Sequence, residues 1–228
     1  MKILALDTST RAGSVALRDG GQIVAATLLD VTATHSERLL PAVERSLADA
    51  GWTIEDIDLI ACAKGPGSFT GLRIGLATAK GIAFAIDRPL VGVNSLEAAA
   101  LGFAYGTTTI CAMIDARKRQ VFAALFAPDG RGGLQRLNED VSVKAGDFAA
   151  SVAGPCLFIG DGAQLFTEQI RAAKPDALLV EPAVCYPRAM GVALLGARLF
   201  AAGERGLVAH YVRASDAELN PKFAVKED

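Results

Sequence analysis

The chain has 228 residues, 51% of them apolar and 21% charged, with a formal net charge of −2 and a pI near 5.8. This is an ordinary globular balance for one large domain or two small ones, able to bury a core without disulfides or a structural metal. It excludes a basic field able to hold a polyanion unaided, so any grip on nucleic acid is expected to come mostly from another chain.

The opening MKILALDTST turns polar too early for a secretory signal. No run approaches the ~18 apolar residues of a membrane span. Ile3–Leu6 and Ser14–Leu17 read as buried strands, Asp19-Gly20-Gly21 as a hairpin turn, and Gln22–Leu29 as a third strand, an antiparallel meander. Thr34-His35-Ser36-Glu37 matches a capping box, and Leu39, Leu40, Val43 and Leu47 follow at helical spacing up to Gly51. Pro41 predicts a kink or a later helix start. Leu59–Ala63 reads as a strand, 70–86 as a helix and Leu90–Val93 as a strand.

The second half reads in the same order. Ile110–Ile114 and Val121–Phe126 are strands, with a third near Leu137–Val143 after the PDGRGG turn. A helix over 145–152, a strand at Leu157–Ile159, a helix over 163–173, a strand at Leu178–Val180 and a last helix over 188–202 complete it. Both halves are thus βββαβαβ. Segment 101–109, LGFAYGTTT, interrupts both periodicities and marks the boundary. We expect an N-terminal lobe over 1–103 and a C-terminal lobe over 104–228, with the last helix packing back on the first lobe. The polar tail from Ser215 is expected to fray. Cys62, Cys111, Cys156 and Cys185 form no CxxC pair and read as reduced cysteines of a cytosolic protein.

A duplicated βββαβαβ order resembles the two-lobed actin-like ATPase (ASKHA, RNase H-like) α/β fold, which holds nucleotide between one phosphate loop from each lobe. The loop after the first strand is Asp7-Thr8-Ser9-Thr10. A phosphate cradle needs converging N–H groups and a close backbone approach, which glycine permits. The superfamily pattern has glycine where this chain has Ser9. Asp7, Thr8, Ser9 and Thr10 therefore read as the remnant of a nucleotide loop, held as a turn by side-chain-to-backbone bonds. A water or metal contact through Asp7 stays open. The matching turn, Asp115-Ala116-Arg117-Lys118-Arg119, has no glycine but carries three cations. Gly160-Asp161-Gly162 suits either a ligand at a helix N-terminus or a tight connection.

AKGPGSFTGLRIGLATAKGIAFA (63–85) follows a strand. Gly65-Pro66-Gly67 forces a turn, and Ser68 or Thr70 can cap the helix, leaving turn plus cap and anion site as readings. On the helix, Leu72, Leu76, Ala79, Ala83 and Ile86 line one face and Gly71, Gly75, Thr78 and Ile82 a second. Only Arg73 and Lys80 mark a stripe fit for water. A helix apolar nearly all round is buried on more than one side. Its small residues admit a close neighbour. Either the chain's own core or a subunit interface covers the second face.

LALDTST, HSERLLP, GPGSFTGLRIG, GIAFA and IDARKRQVFAALF, in this order, resemble the bacterial TsaB (YeaZ) family, with GDGA and HYVR extending the likeness more weakly along most of the chain. The resemblance implies a non-catalytic, cytoplasmic partner in making N6-threonylcarbamoyladenosine at position 37 of tRNAs that read codons beginning with A. Such a partner acts as scaffold or activator. It pairs with the threonylcarbamoyltransferase TsaD; the ATPase TsaE joins the assembly, TsaC supplies the adenylate, and tRNA is met mainly through the complex. The family's pairing surface lies on the first two helices. Here that points to Leu39, Leu40, Val43, Leu47, Gly71, Leu72, Gly75, Thr78, Ala79 and Ile82, with a homodimer through the same helices as a further form. No cofactor, catalytic residue or metal site is expected. TsaD-type chains bind metal through paired histidines on the first helix, whereas this chain has His35 there and otherwise only His210. HExxH is absent, so the old glycoprotease label has no support. The alternative is an actin-like ATPase or small-molecule phosphotransferase.

Overall fold

The computed structural model describes residues 1–29, 35–181 and 188–213. The expected capping box at Thr34 and the tail from Ser215 lie outside them. Strands β1 (Lys2–Asp7), β2 (Gly13–Asp19) and β3 (Gln22–Leu29) form the antiparallel meander. Helix α1 (His35–Ala50) leads to β4 (Leu59–Gly65), α2 (Phe69–Ala85) and β5 (Leu90–Asn94). The strand order is β3-β2-β1-β4-β5, with β4 parallel to both β1 and β5. Pro41 is carried inside α1, so the later start does not occur. Pro41 is exposed, as is Glu37, whose carbonyl loses its usual helical donor to the proline ring.

A six-residue helix, α3 (Ser95–Ala100), went unread in the sequence. The Asn94 carboxamide oxygen starts it, accepting from Leu96 N and Glu97 N at 3.0 Å each. The second sheet repeats the first. β6 (Thr109–Arg117) and β7 (Gln120–Pro128) form a hairpin. The strand expected near Leu137–Val143 forms only at its end as β9 (Val141–Val143), and β8 (Leu134–Arg136) precedes that range; both are paired to β7. In the break between them, Leu125 N donates to the Asn138 side chain (2.6 Å) and Leu137 N to Leu125 O (2.9 Å). After α4 (Ala145–Ser151) come β10 (Cys156–Ile159), two short helices α5 (Asp161–Leu165) and α6 (Thr167–Ala173) in place of one, and β11 (Leu178–Leu179). The order β8-β7-β6-β10-β11 reproduces that of the first sheet.

Two layers sandwich the first sheet. On one face Leu4, Leu6, Val15, Leu17, Ile60 and Cys62 pack with α1 and α2. On the other, Ile3, Ala5, Ala16, Ala61, Val91 and Val93 pack with α7 (Arg188–Ala201), which follows the second sheet in sequence. Ser14 Oγ accepts from Ala189 N (3.0 Å) in the first turn of α7. A Cβ on Gly191 would lie 2.1 Å from the Ala98 carbonyl, so glycine is what lets α7 lie against α3.

Candidate functional site

The two hairpin loops, β1–β2 and β6–β7, face each other across a cleft of about 550 Å³. In the first loop, Asp7, Thr8, Ser9 and Thr10 are at most 4% exposed. Their polar groups are largely spent on the chain itself. Asp7 Oδ1 accepts from Ser9 N (2.8 Å), Thr8 Oγ1 donates to Gly71 O (2.7 Å), and Thr10 Oγ1 donates to Ala12 O (3.0 Å). Ser68 N donates to Ser9 O at 2.7 Å. The start of α2 is pressed onto this loop. Cβ atoms on Gly67, Gly71 and Gly75 would each come within 2.2 Å of Ser9 O, Thr8 O and Thr8 Oγ1 respectively. The Gly71 and Gly75 face of α2 is therefore fitted to Thr8, not to a neighbouring helix. Ser68 caps α2, accepting from Gly71 N at 3.3 Å.

In the second loop Arg117, Lys118 and Arg119 take φ of +61°, +51° and +61°. Asp115 Oδ1 accepts from Arg117 N (2.8 Å), and its other oxygen lies 3.4 Å from Arg117 Nη1. Gly160 and Gly162 are packing glycines: a Cβ on Gly160 would meet Met113 O at 2.2 Å, and one on Gly162 the backbone carbon of Ile114 at 2.9 Å. Asp161 between them pairs with Arg188 (3.1 Å). The tight-connection reading fits this geometry, and α5 offers no anion cradle.

Sequence reasoning missed a strap, residues 206–213, that ties the lobes together. Gly206 N donates to Leu90 O (2.8 Å) and His210 N to Lys64 O (2.7 Å), fastening it to the first lobe. Tyr211 packs on Phe69 with ring centroids 5.2 Å apart. Arg213 then crosses to the second lobe, donating to Ala116 O (2.8 Å) and Gln120 Oε1 (3.0 Å). His210 Nε2 lies 2.9 Å from Asp140 Oδ2, and Asp140 also accepts from Asn94 Nδ2 (2.6 Å) and Arg136 Nη1. Asp140 stands in the break between β8 and β9, so this break is what delivers a carboxylate to β5, β8 and the strap at once. HYVR was the signal for the strap, without the pairing that gives it meaning.

The expected pairing residues divide. Leu39, Val43, Leu47, Leu72 and Ala79 are buried in the first lobe's core, and Gly71 and Gly75 are buried against the loop. Leu40 is exposed, and Thr78 and Ile82 are half-exposed. Alongside them, Ala77, Gly81, Phe84 and Ala85 are exposed and Ile74 is half-exposed, at spacings that place them on one outward stripe of α2. Phe84 is 91% exposed, an unusual position for a whole aromatic ring. The sequence had left only Arg73 and Lys80 for water, and both are indeed exposed. Among the described residues no group of three or more His, Cys, Asp or Glu is arranged to hold a metal, and no helix is long and apolar enough to cross a membrane.

Two sheets of identical strand order meeting across a cleft, with one hairpin loop from each at its mouth, define a two-lobed α/β protein of the actin-like class. The chain is 33% identical to the tRNA threonylcarbamoyladenosine biosynthesis protein TsaB of Bacillus subtilis, over 96% of each chain. It is 32% identical to the protein of the same name from Escherichia coli, over 92% of each. The solved structure of YeaZ from Pseudomonas aeruginosa superposes with a TM-score of 0.77 at 30% identity, covering 92% of this chain and 99% of that one. Residues 30–154 match the family model described as TsaD, tRNA N6-adenosine threonylcarbamoyltransferase. The chain belongs to the TsaB family.

Proposed function

We propose that this chain is a non-catalytic, cytoplasmic subunit in the synthesis of N6-threonylcarbamoyladenosine in tRNA, the biosynthesis that its TsaB relatives are named for. It serves as scaffold and activator for a TsaD-type transferase, with TsaE joining the pair. The observation that carries the pairing is the outward stripe of α2, Ile74, Ala77, Thr78, Gly81, Ile82 and Phe84, together with the exposed Leu40 of α1. A contiguous apolar stripe on a folded chain marks a protein-binding surface. Small residues at its centre let a partner helix approach closely, and Phe84 supplies an aromatic anchor. The buried members of the expected set, Leu39, Val43, Leu47, Leu72 and Ala79, act from beneath by fixing the two helices on the sheet. Free of the transferase, the chain pairs with itself through the same stripe.

The non-catalytic reading is supported by the first loop, whose Ser9 N–H is turned to Asp7 and whose Thr8 and Ser9 carbonyls are packed against the start of α2. The test is genetic. In cells deprived of this chain, wild type restores the modified nucleoside and Ala77→Glu/Gly81→Arg, expressed and folded, does not. Full restoration by that double variant, or brisk ATP turnover by the isolated chain, would contradict the proposal.

A further inference from the structure

The tip of the β6–β7 hairpin has a chemistry that partner docking does not use. Arg117, Lys118 and Arg119 are the only adjacent cations in the 228-residue sequence. All three are exposed, the Arg117 side chain at 77%. Arg117 pairs with Gln120 in the ladder, which leaves Lys118 and Arg119 as a two-residue loop. Both have positive φ, the sign that the primed hairpin turns demand at their central positions. Asn-Gly satisfies that demand cheaply; Lys-Arg does not, because each Cβ crowds its own backbone there. Arg117 adds a third left-handed residue.

The hairpin beneath the tip is braced. One guanidinium, that of Arg213, donates to both strands, at Ala116 O and Gln120 Oε1, and Ser142 Oγ lies 3.3 Å from the same Gln120 oxygen. A turn that keeps long cations at strained positions on a stiffened base is built to present charge. It projects at the rim of the inter-lobe cleft, where Arg11 and Arg213 add positive charge. The carboxylates nearby are engaged, Asp115 with Arg117 and Asp161 with Arg188.

We infer that this tip is a direct contact of the chain with the phosphate backbone of tRNA, engaged once the transferase pair has formed; the inference rests on the proposed function. The overall charge of −2 leaves the long-range grip to the partner, and the tip adds a few local phosphate contacts. The occupant is a polyphosphate chain because adjacent exposed cations at one turn, Lys118 and Arg119 with Arg117 beside Asp115, suit phosphates spaced along a strand.

The decisive variant relieves the backbone while removing the charge. Lys118→Asn/Arg119→Gly installs the favoured turn and should leave Tm unchanged or higher by about 2–4 °C. The pair of this variant with a TsaD-type transferase is titrated with an unmodified tRNA transcript across a salt series. We expect unchanged pairing, affinity for tRNA lower by about three- to tenfold, and a salt slope shallower by about 1–2. The charge-matched control Arg131→Gln/Arg171→Gln, at two exposed positions elsewhere on the second lobe, should stay within about twofold of wild type. Wild-type affinity and slope in the tip variant, a loss no greater than the control's, or equal competition by polyglutamate would overturn the tip contact alone. Failure of the wild-type chain to bind the transferase would overturn the pairing and the tip contact together.

Discussion

Thr8 Oγ1 donates to the carbonyl oxygen of Gly71 at 2.7 Å, and this bond ties the first loop of the fold to the first turn of α2. The same contact explains the glycines of GPGSFTGLRIG. Gly67, Gly71 and Gly75 lack side chains because the loop lies where a Cβ would be.

Gly71→Ala and Gly75→Ala should each cost about 1–3 kcal/mol in urea unfolding, the usual penalty of forced overpacking. They should respond differently to Thr8→Ala. At Gly75 the obstacle is the Thr8 hydroxyl, so removing it relieves much of the loss; at Gly71 the obstacle is the Thr8 carbonyl, which the substitution leaves in place. A double-mutant cycle reads the difference. Equal coupling at both positions would contradict the packing described.

Asp140 should be the most sensitive carboxylate of the lobe boundary. Its side chain is 4% exposed and binds Asn94, Arg136 and His210, from β5, β8 and the strap. Asp140→Ala removes the acceptor shared by Asn94, Arg136 and His210 and should cost about 1–3 kcal/mol. Hydrogen exchange should then quicken at His210 N and Gly206 N, the strap's anchors on the first lobe. A loss of stability without faster exchange there would show that Asp140 does not hold the strap.

Glu97 gives the boundary a pH dependence of its own. Burial holds its carboxyl above the ordinary carboxylate range, and the neighbouring Asp140 adds to this, against the opposing pull of Arg136. The folded chain therefore binds this proton more tightly than the unfolded one. Its contribution to stability is fully present below the ordinary glutamate value and is lost as pH rises through the raised value. Glu97→Gln should thus be more stable than wild type at pH 7, with the advantage shrinking on acidification towards pH 4. A constant difference across that range, measured by urea titration, would contradict it.

Much of the fold was legible in the sequence, because β1–β5, α1, α2, β6, β7 and α7 carry strong periodicity or clear glycine punctuation. What escaped depended on partners distant in sequence. The break at 137–140 is bonded to Leu125, and it serves Asn94 and His210. Helix α3 is six residues long and rests on one cap, too short for periodicity to register. The strap is anchored backbone to backbone on Leu90 and Lys64, a pairing that HYVR does not announce. The candidate interface was legible as a helix pair but not as a face. An apolar stripe runs nearly all round α2, so spacing alone could not say that Leu72, Leu76 and Ala79 turn to the sheet, Gly71 and Gly75 to Thr8, and Ala77, Gly81 and Phe84 outward.

The central claim is that the outward stripe of α2 binds the transferase. Gly81 has nothing within 4 Å of a built Cβ, and Phe84 is almost wholly exposed, so Gly81→Arg and Phe84→Ser should each leave the fold within about 0.5 kcal/mol of neutral once helix propensity is allowed for. Titrating a TsaD-type transferase with wild type and with each variant by calorimetry measures the claim directly. We predict Kd values at least about tenfold weaker for both variants, equivalent to about 1.4 kcal/mol each. Wild-type affinity in both folded variants would place the partner elsewhere on the chain.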